Sequence, residues 1–148
     1  MEAIILIGIQ GSGKSTFYKE KYLNSHMRIS NDLLKTKTRE NLLLEYCKNT
    51  NLSFVVDNTN ITKSIRKKYI QFAQSLKIPV IGYYFKTDLE RSMKLNQNRT
   101  GKEFVPEIGI LGTYKKLELP SIDEGFTQLY YVNYMDNNFR IMEWKDEI

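Results

Sequence analysis

Gly8-Ile9-Gln10-Gly11-Ser12-Gly13-Lys14-Ser15, with Thr16 behind it, follows the pattern Gly, four residues, Gly-Lys-Ser. A stretch of this form turns successive backbone N–H groups inward onto one phosphate, and side chains at Gly11 and Gly13 would block that approach. Lys14 then bridges terminal phosphates, the Ser15 hydroxyl is placed to ligand Mg²⁺, and a helix opening here points its positive dipole end at the anion. Upstream, Ala3-Ile4-Ile5-Leu6-Ile7 is an unbroken apolar run suited to a central parallel strand. Downstream, residues 15–23 contain no Gly or Pro and read as a helix. Strand, loop and helix thus stand in the order that phosphate binding requires. ATP or GTP binding is expected, with Gly8, Gln10, Gly11, Ser12, Gly13, Lys14, Ser15 and Thr16 as its contacts and Ser15 as the metal ligand. A Gly-rich turn after a core strand is the alternative.

Working outward, Met27-Arg28-Ile29-Ser30 reads as a second strand that delivers Asn31 and Asp32 to its C-terminal end. Ligands of open parallel sheets bind off those ends, so Asp32 belongs on the same rim as the loop. It reads equally as a general base for an attacking hydroxyl or as a helix N-cap. Ser53-Phe54-Val55-Val56-Asp57 is a buried strand ending in an acid, followed by Asn58-Thr59-Asn60. A carboxylate there suits Mg²⁺ or its waters, and a turn residue is the alternative.

Residues 38–48 place Leu42, Leu43, Tyr46 and Cys47 at helical spacing, as a packing face. Residues 62–76 place Ile65, Tyr69, Phe72, Ala73 and Leu76 on one stripe, with Arg66, Lys67 and Lys68 mostly off it. Val80 to Phe85 is a further strand, entered through Pro79, and Thr87-Asp88-Leu89-Glu90 has the form of a capping box opening another helix. Residues 99–106, with Arg99, Gly101, Lys102 and Pro106, suit a lid over bound phosphates or an ordinary interhelical loop. A helix over 107–117, a turn-rich segment over 119–126 and two strands over 127–134 and 139–144 complete the chain. The aromatics Tyr130, Tyr131, Tyr134, Phe139 and Trp144 fit a filled sheet face better than a base-stacking surface.

Strands alternating with helices predict an α/β sandwich with a mostly parallel sheet, and 148 residues suffice for a single domain over 1–148. The net charge of +5 draws the protein to polyanions in general. Lys63, Arg66, Lys67 and Lys68, and separately Lys115 and Lys116, are candidate phosphate-tracking patches or merely solvated helix faces. One cysteine, Cys47, allows no internal disulfide. With no signal-like start and no apolar run of membrane-spanning length, a cytoplasmic protein without membrane attachment is expected.

The ordered set of phosphate-binding loop, Ser30-Asn31-Asp32, Val55-Val56-Asp57-Asn58-Thr59-Asn60, Arg99, Val105-Pro106 and Leu119-Pro120-Ser121-Ile122-Asp123-Glu124-Gly125-Phe126 resembles the kinase domain of polynucleotide kinase/phosphatases. The likeness covers nearly the whole length. It implies a P-loop NTPase fold of the kinase type and transfer of the ATP γ-phosphate, with Mg²⁺, to a 5′-hydroxyl end of DNA or RNA. By resemblance Asp32 is the general base, Lys14 and Ser15 hold phosphate and metal, and Arg99 is the lid arginine that clamps the transferring phosphate. Asp57, Asn58, Thr59 and Asn60 lie on the substrate side, Thr59 and Asn60 near the acceptor phosphate.

This chain departs from the family in three places. Lys35 stands where phage-type members place an arginine for the acceptor's scissile phosphate. Leu95 occupies the position of a further lid arginine. The phosphatase domain is absent from the sequence, so no 3′-end processing is expected of it. A small-molecule kinase acting on a nucleoside, sugar or sugar nucleotide is the rival reading, since the same scaffold serves any hydroxyl acceptor. A nucleoside monophosphate kinase is disfavoured by a total of six scattered arginines. An ATPase switch is the second rival, and it leaves Asp32 without a task.

Overall fold

The computed structural model describes residues 1–97 and 107–145. A six-stranded sheet in the order β2-β3-β1-β4-β5-β6 forms its centre. The strands are β1 (Ala3–Ile7), β2 (Met27–Ile29), β3 (Phe54–Val56), β4 (Val80–Phe85), β5 (Gln128–Met135) and β6 (Asn138–Glu143). The first five run parallel to their neighbours and β6 returns antiparallel on β5. Helices α1 (Lys14–Lys21), α2 (Asn31–Leu34), α3 (Lys37–Thr50), α4 (Lys63–Ser75), α5 (Leu89–Gln97) and α6 (Glu107–Lys116) fill the connections, and a 3₁₀ turn spans Ile122–Glu124. This is the mostly parallel P-loop architecture expected from the sequence.

β1 is apolar throughout because both of its faces are covered. Ala3, Ile5 and Ile7 join Leu44, Cys47, Tyr69, Ile70 and Ala73 on one side of the sheet. Ile4 and Leu6 join Phe17, Tyr18 and Phe85 on the other. Phe17 has no exposure and meets Tyr83, Phe85 and Phe139 at ring separations of 5.0, 5.2 and 5.3 Å. Burying such a ring stabilises the fold by about 1.5–3 kcal/mol and ties α1, and with it the phosphate-binding loop, to the sheet.

The tail aromatics do fill the sheet. Tyr130 stacks on Tyr83 at 5.3 Å and Trp144 meets Tyr84 edge-on at 5.5 Å. Asp136 and Asn137 both take positive φ, 52° and 61°, which is the two-residue turn a twisted hairpin requires. That hairpin carries Phe139 back against the loop, where a methyl on Gly13 would come within 3.2 Å of its ring.

Two helix faces differ from the sequence reading. In α3, Leu42 and Tyr46 are solvent-exposed, while Leu44 and Cys47 enter the core. Tyr69, Ile70 and Ala73 form the buried stripe of α4, whereas Ile65 is exposed and Arg66 fully buried. Arg66 is therefore no part of a basic surface patch. Glu124 draws it inward with a bidentate ion pair, Nε to Oε1 at 2.8 Å and Nη2 to Oε2 at 3.1 Å, a fork-to-fork match that lysine cannot make. Lys63, Lys67, Lys115 and Lys116 are exposed as solvated residues. Lys68 pairs with the buried Glu40 at 3.0 Å.

Candidate active site

The C-terminal ends of β1, β2 and β3 deliver the three parts of one open cavity of about 250 Å³. β1 contributes Gln10, Gly11, Lys14 and Ser15, β2 leads through Arg28 to Asn31 and Asp32, and β3 ends in Asp57, Asn58 and Thr59, all of them in its wall. Ten residues that lie as far apart as Gln10 and Thr59 in the chain thus share one space, because parallel strands all end on the same rim.

Gly11 and Gly13 take φ of 75° and 99°, the left-handed values that let the loop turn its N–H groups inward. Lys14 begins α1 and is buried. Its ammonium donates to the carbonyls of Gly8 and Ile9 at 2.9 and 2.7 Å and to Ser12 Oγ at 3.3 Å. The loop thus holds its own cation where phosphate oxygens would accept those hydrogen bonds. Gly8, Ser12 and Gly13 are buried in the loop, while Thr16 is exposed on α1 and is not among the lining residues of the cavity.

Ser15 Oγ donates to Asp57 Oδ2 at 2.9 Å. The two are hard oxygen donors on adjacent elements, which is the chemistry Mg²⁺ takes when nucleotide phosphates complete its octahedron. The donor set therefore fits that ion. No cluster of three or more His, Cys, Asp or Glu forms a metal site among the described residues, so the phosphates would have to supply the remaining ligands.

Arg28, which the sequence reading did not assign, belongs to this cluster. Its Nε donates to Asp57 Oδ2 at 2.8 Å and its Nη2 to Ser15 Oγ at 3.1 Å. A cation between Met27 and Ile29, in a strand ending at the site, is the signal that would have found it. Its pairing with Val55 in the sheet register puts it on the α1 side, beside Ser15, because Val55 packs into the core that contains Phe17.

Asp32 sits in the first turn of α2, exposed on the cavity rim. The N-cap position of that helix belongs to Ser30, so Asp32 is not the cap. Asn58 Oδ1 accepts the backbone N–H of Asn31 at 2.8 Å, which ties the start of α2, one residue before Asp32, to the segment after β3. Burial first, then the neighbouring Glu40, raises the pKa of the Tyr69 phenol and keeps it protonated, while Asn58 acts in the opposite direction. Lys68 Nζ donates to the same Glu40 at 3.0 Å.

Asn60 faces away from the cavity. Buried at φ 46°, it donates from Nδ2 to the Leu6 carbonyl at 2.7 Å, and its own carbonyl accepts from Arg66 Nη1 at 2.8 Å. Thr59 lines the cavity while its carbonyl accepts the Gly8 N–H at 3.0 Å. The loop after β3 is thereby stitched to the start of the phosphate-binding loop. Lys35 is exposed at the left-handed C-cap of α2, φ 68°, and is not among the cavity-lining residues. Arg99 and the proposed lid over 99–106 lie outside the described residues, as does the side chain of Leu95.

A second cavity of about 210 Å³ lies on the other flank of the loop, where Ser12 meets Phe85, Lys86 and Asn133. No helix among the described residues is long and apolar enough to cross a membrane.

Residues 26–119 match the AAA domain family. The bifunctional polynucleotide phosphatase/kinase of Schizosaccharomyces pombe is 31% identical over 133 residues, covering 86% of this chain and 32% of the relative. The chain thus spans about a third of that relative's length. Among solved structures, Chaetomium thermophilum Kti12 in complex with ADP-AlF3 superposes with a TM-score of 0.68 at 15% identity, covering 90% of each chain. An unliganded sugar kinase from Janibacter sp. HTCC2649 superposes with a TM-score of 0.65 at 13% identity, covering 90% of this chain and 85% of the other. At these identities both superpositions speak to the fold.

Proposed function

The chain belongs to the AAA domain family, and from that premise we propose that it is an ATP-dependent polynucleotide 5′-hydroxyl kinase, transferring the γ-phosphate to 5′-hydroxyl ends of DNA or RNA. The observation that carries this reading is the convergence of Asp32 with Lys14, Ser15 and Asp57 around one open cavity. The ordered motifs and the 31% identical relative support the choice of acceptor class.

The residues divide the work as phosphoryl transfer demands, into positioning and charge stabilisation. ATP enters with its phosphates on the loop, and Lys14 exchanges the Gly8 and Ile9 carbonyls for phosphate oxygens. Asp32 accepts the proton of the acceptor hydroxyl as that oxygen bonds to the γ-phosphorus. The bond from phosphorus to the β–γ bridging oxygen breaks, and ADP leaves with that electron pair. Ser15 and Asp57 would hold Mg²⁺, which when bound neutralises and orients the β- and γ-phosphate oxygens. Asn58 fixes the backbone beneath Asp32, and the clamp on the transferring phosphate is assigned to Arg99. The cavity beside Ser12 is assigned to the nucleoside end of ATP, because donor and acceptor must approach the loop from opposite flanks.

A second reading has one observation in its favour. The described cations of the cavity wall, Lys14 and Arg28, are both turned onto protein oxygens, an arrangement that also suits an uncharged alcohol such as a nucleoside or sugar. Transfer of labelled γ-phosphate from ATP and Mg²⁺ to a panel of 5′-hydroxyl DNA and RNA oligonucleotides, nucleosides and sugars separates the two. Label on oligonucleotide 5′ ends is expected. Label on small molecules alone would replace the acceptor class, and ATP hydrolysis indifferent to every acceptor would replace the reaction.

A further inference from the structure

The strongest unassigned contact in the site is the grip of Arg28 on the two oxygens best suited to a divalent cation. Its Nε and Nη2 reach Asp57 Oδ2 and Ser15 Oγ at 2.8 and 3.1 Å, and those oxygens already share a hydrogen bond of 2.9 Å. Asp57 is 2% exposed at its side chain and Arg28 30%, so the guanidinium covers the carboxylate from the cavity side. The strand beneath it is held, since Asp57 N–H donates to the Ile29 carbonyl at 2.8 Å. Arg28 can therefore yield the oxygens only by moving its side chain.

We propose that Arg28 is a positioning residue that stands in for the divalent cation, holding Ser15 and Asp57 before nucleotide arrives and competing with Mg²⁺ for them afterwards. A guanidinium is suited to this because its rigid fork satisfies two acceptors at once and it cannot lose its charge. Mg²⁺ requires the same lone pairs, sheds its water reluctantly and meets a like charge at the site. The consequence is a nucleotide site whose affinity depends less on Mg²⁺ than the Ser15–Asp57 pair alone would dictate. This inference rests on nucleotide binding at the loop and on no particular acceptor.

The test is ADP affinity by calorimetry, in EDTA and in saturating Mg²⁺, for wild type and Arg28→Gln, which keeps a hydrogen-bonding amide without the charge. The gain in affinity on adding Mg²⁺ is expected to be about tenfold larger in the variant, the equivalent of one charge-assisted hydrogen bond. A gain within about twofold of wild type, or an equal loss of ADP affinity with and without Mg²⁺, overturns the proposal. A second measurement reads wild type directly and uses a variant that keeps the positive charge only to assign the signal. The ¹⁵N signal of Arg28 Nε in wild type, assigned by its loss in Arg28→Lys, should stay in place with ADP in EDTA and shift when Mg²⁺ is added. A signal indifferent to Mg²⁺ in the ADP complex overturns it too. Neither readout involves phosphoryl transfer, so failure here and failure of the kinase reading are separate results.

Discussion

Arg66 and Glu124, 58 residues apart in the chain, close a two-pronged ion pair inside the protein, and the pair braces the rim of the candidate site. Arg66 Nη1 also donates to the carbonyls of Asn60 and Glu118 at 2.8 and 3.1 Å. Glu124 Oε2 accepts the Ser121 N–H at 2.9 Å, while Ser121 Oγ caps the same turn. The late segment from Pro120 to Phe126 therefore acts at a distance: it secures Arg66, which secures the Asn60 loop, which secures the end of β1.

Glu124→Ala should destabilise the fold by about 3–5 kcal/mol, because it leaves the fully buried Arg66 guanidinium without its counter-charge. Urea denaturation checks this. Replacing both partners, as in Arg66→Met with Glu124→Leu, should be less harmful than the single change, since no uncompensated charge remains. A Glu124→Ala protein as stable as wild type would remove the brace.

Asp32→Ala should lower phosphoryl transfer by about 10²–10⁴-fold, the usual worth of a positioned general base. ADP affinity should remain within about twofold of wild type and stability within about 0.5 kcal/mol, since Asp32 is exposed and is not the cap of α2. Single-turnover transfer and ADP binding are the measurements. Unaltered transfer would take the base assignment away from Asp32.

Asn58→Ala removes the acceptor of the Asn31 N–H without touching the carboxylate of Asp32. The expected result is a loss of transfer of about tenfold, from misplacement of Asp32, with the pH dependence of the remaining activity unchanged. A pH–rate profile shifted along with the rate would mean that Asn58 acts on proton transfer itself.

Gly11→Ala should abolish nucleotide binding. At φ 75° an added methyl is strained, and it would drive into the backbone carbonyl of Ser92 on α5. Calorimetry with ADP reads the loss, and measurable binding near the wild-type affinity would show that the loop tolerates a different path.

Burial pushes the Cys47 thiol up to about 11. A group whose folded pKa is raised contributes stability that is complete below its unfolded value and is lost as pH climbs through the folded one. Wild type should therefore lose about 2–3 kcal/mol between about pH 9 and 11 that Cys47→Ala does not lose, because one unit is worth about 1.4 kcal/mol. The difference between the two denaturation curves isolates this from Tyr22 and Tyr69, whose pKa values are also raised by burial. Parallel curves across that range would refute it.

Much of the fold was legible because its signals are local. An apolar run, a Gly-rich turn and a Gly-free helix stand side by side from Ala3 to Lys21, and the two strands that became β5 and β6 were legible in the same local way. The helix faces were less legible. Leu42, Tyr46 and Ile65 carry apolar side chains at helical spacing, yet the neighbouring elements cover a face that leaves them in solvent. Periodicity finds an apolar stripe but not which of its margins a sheet will cover.

The site divides along the same line. From residue type and spacing alone, the chain determines that it has a phosphate-binding loop on a parallel sheet, with acids at two strand ends, because glycine conformation, strand burial and rim placement follow from local chemistry. Tertiary structure alone decided that Arg28 lies on Ser15 and Asp57, that Asn60 turns inward, and that Arg66 is a buried brace. Each of these is a choice of partner for a polar group. That choice depends on which distant acceptor folding brings within about 3 Å, a distance that no spacing along the chain encodes.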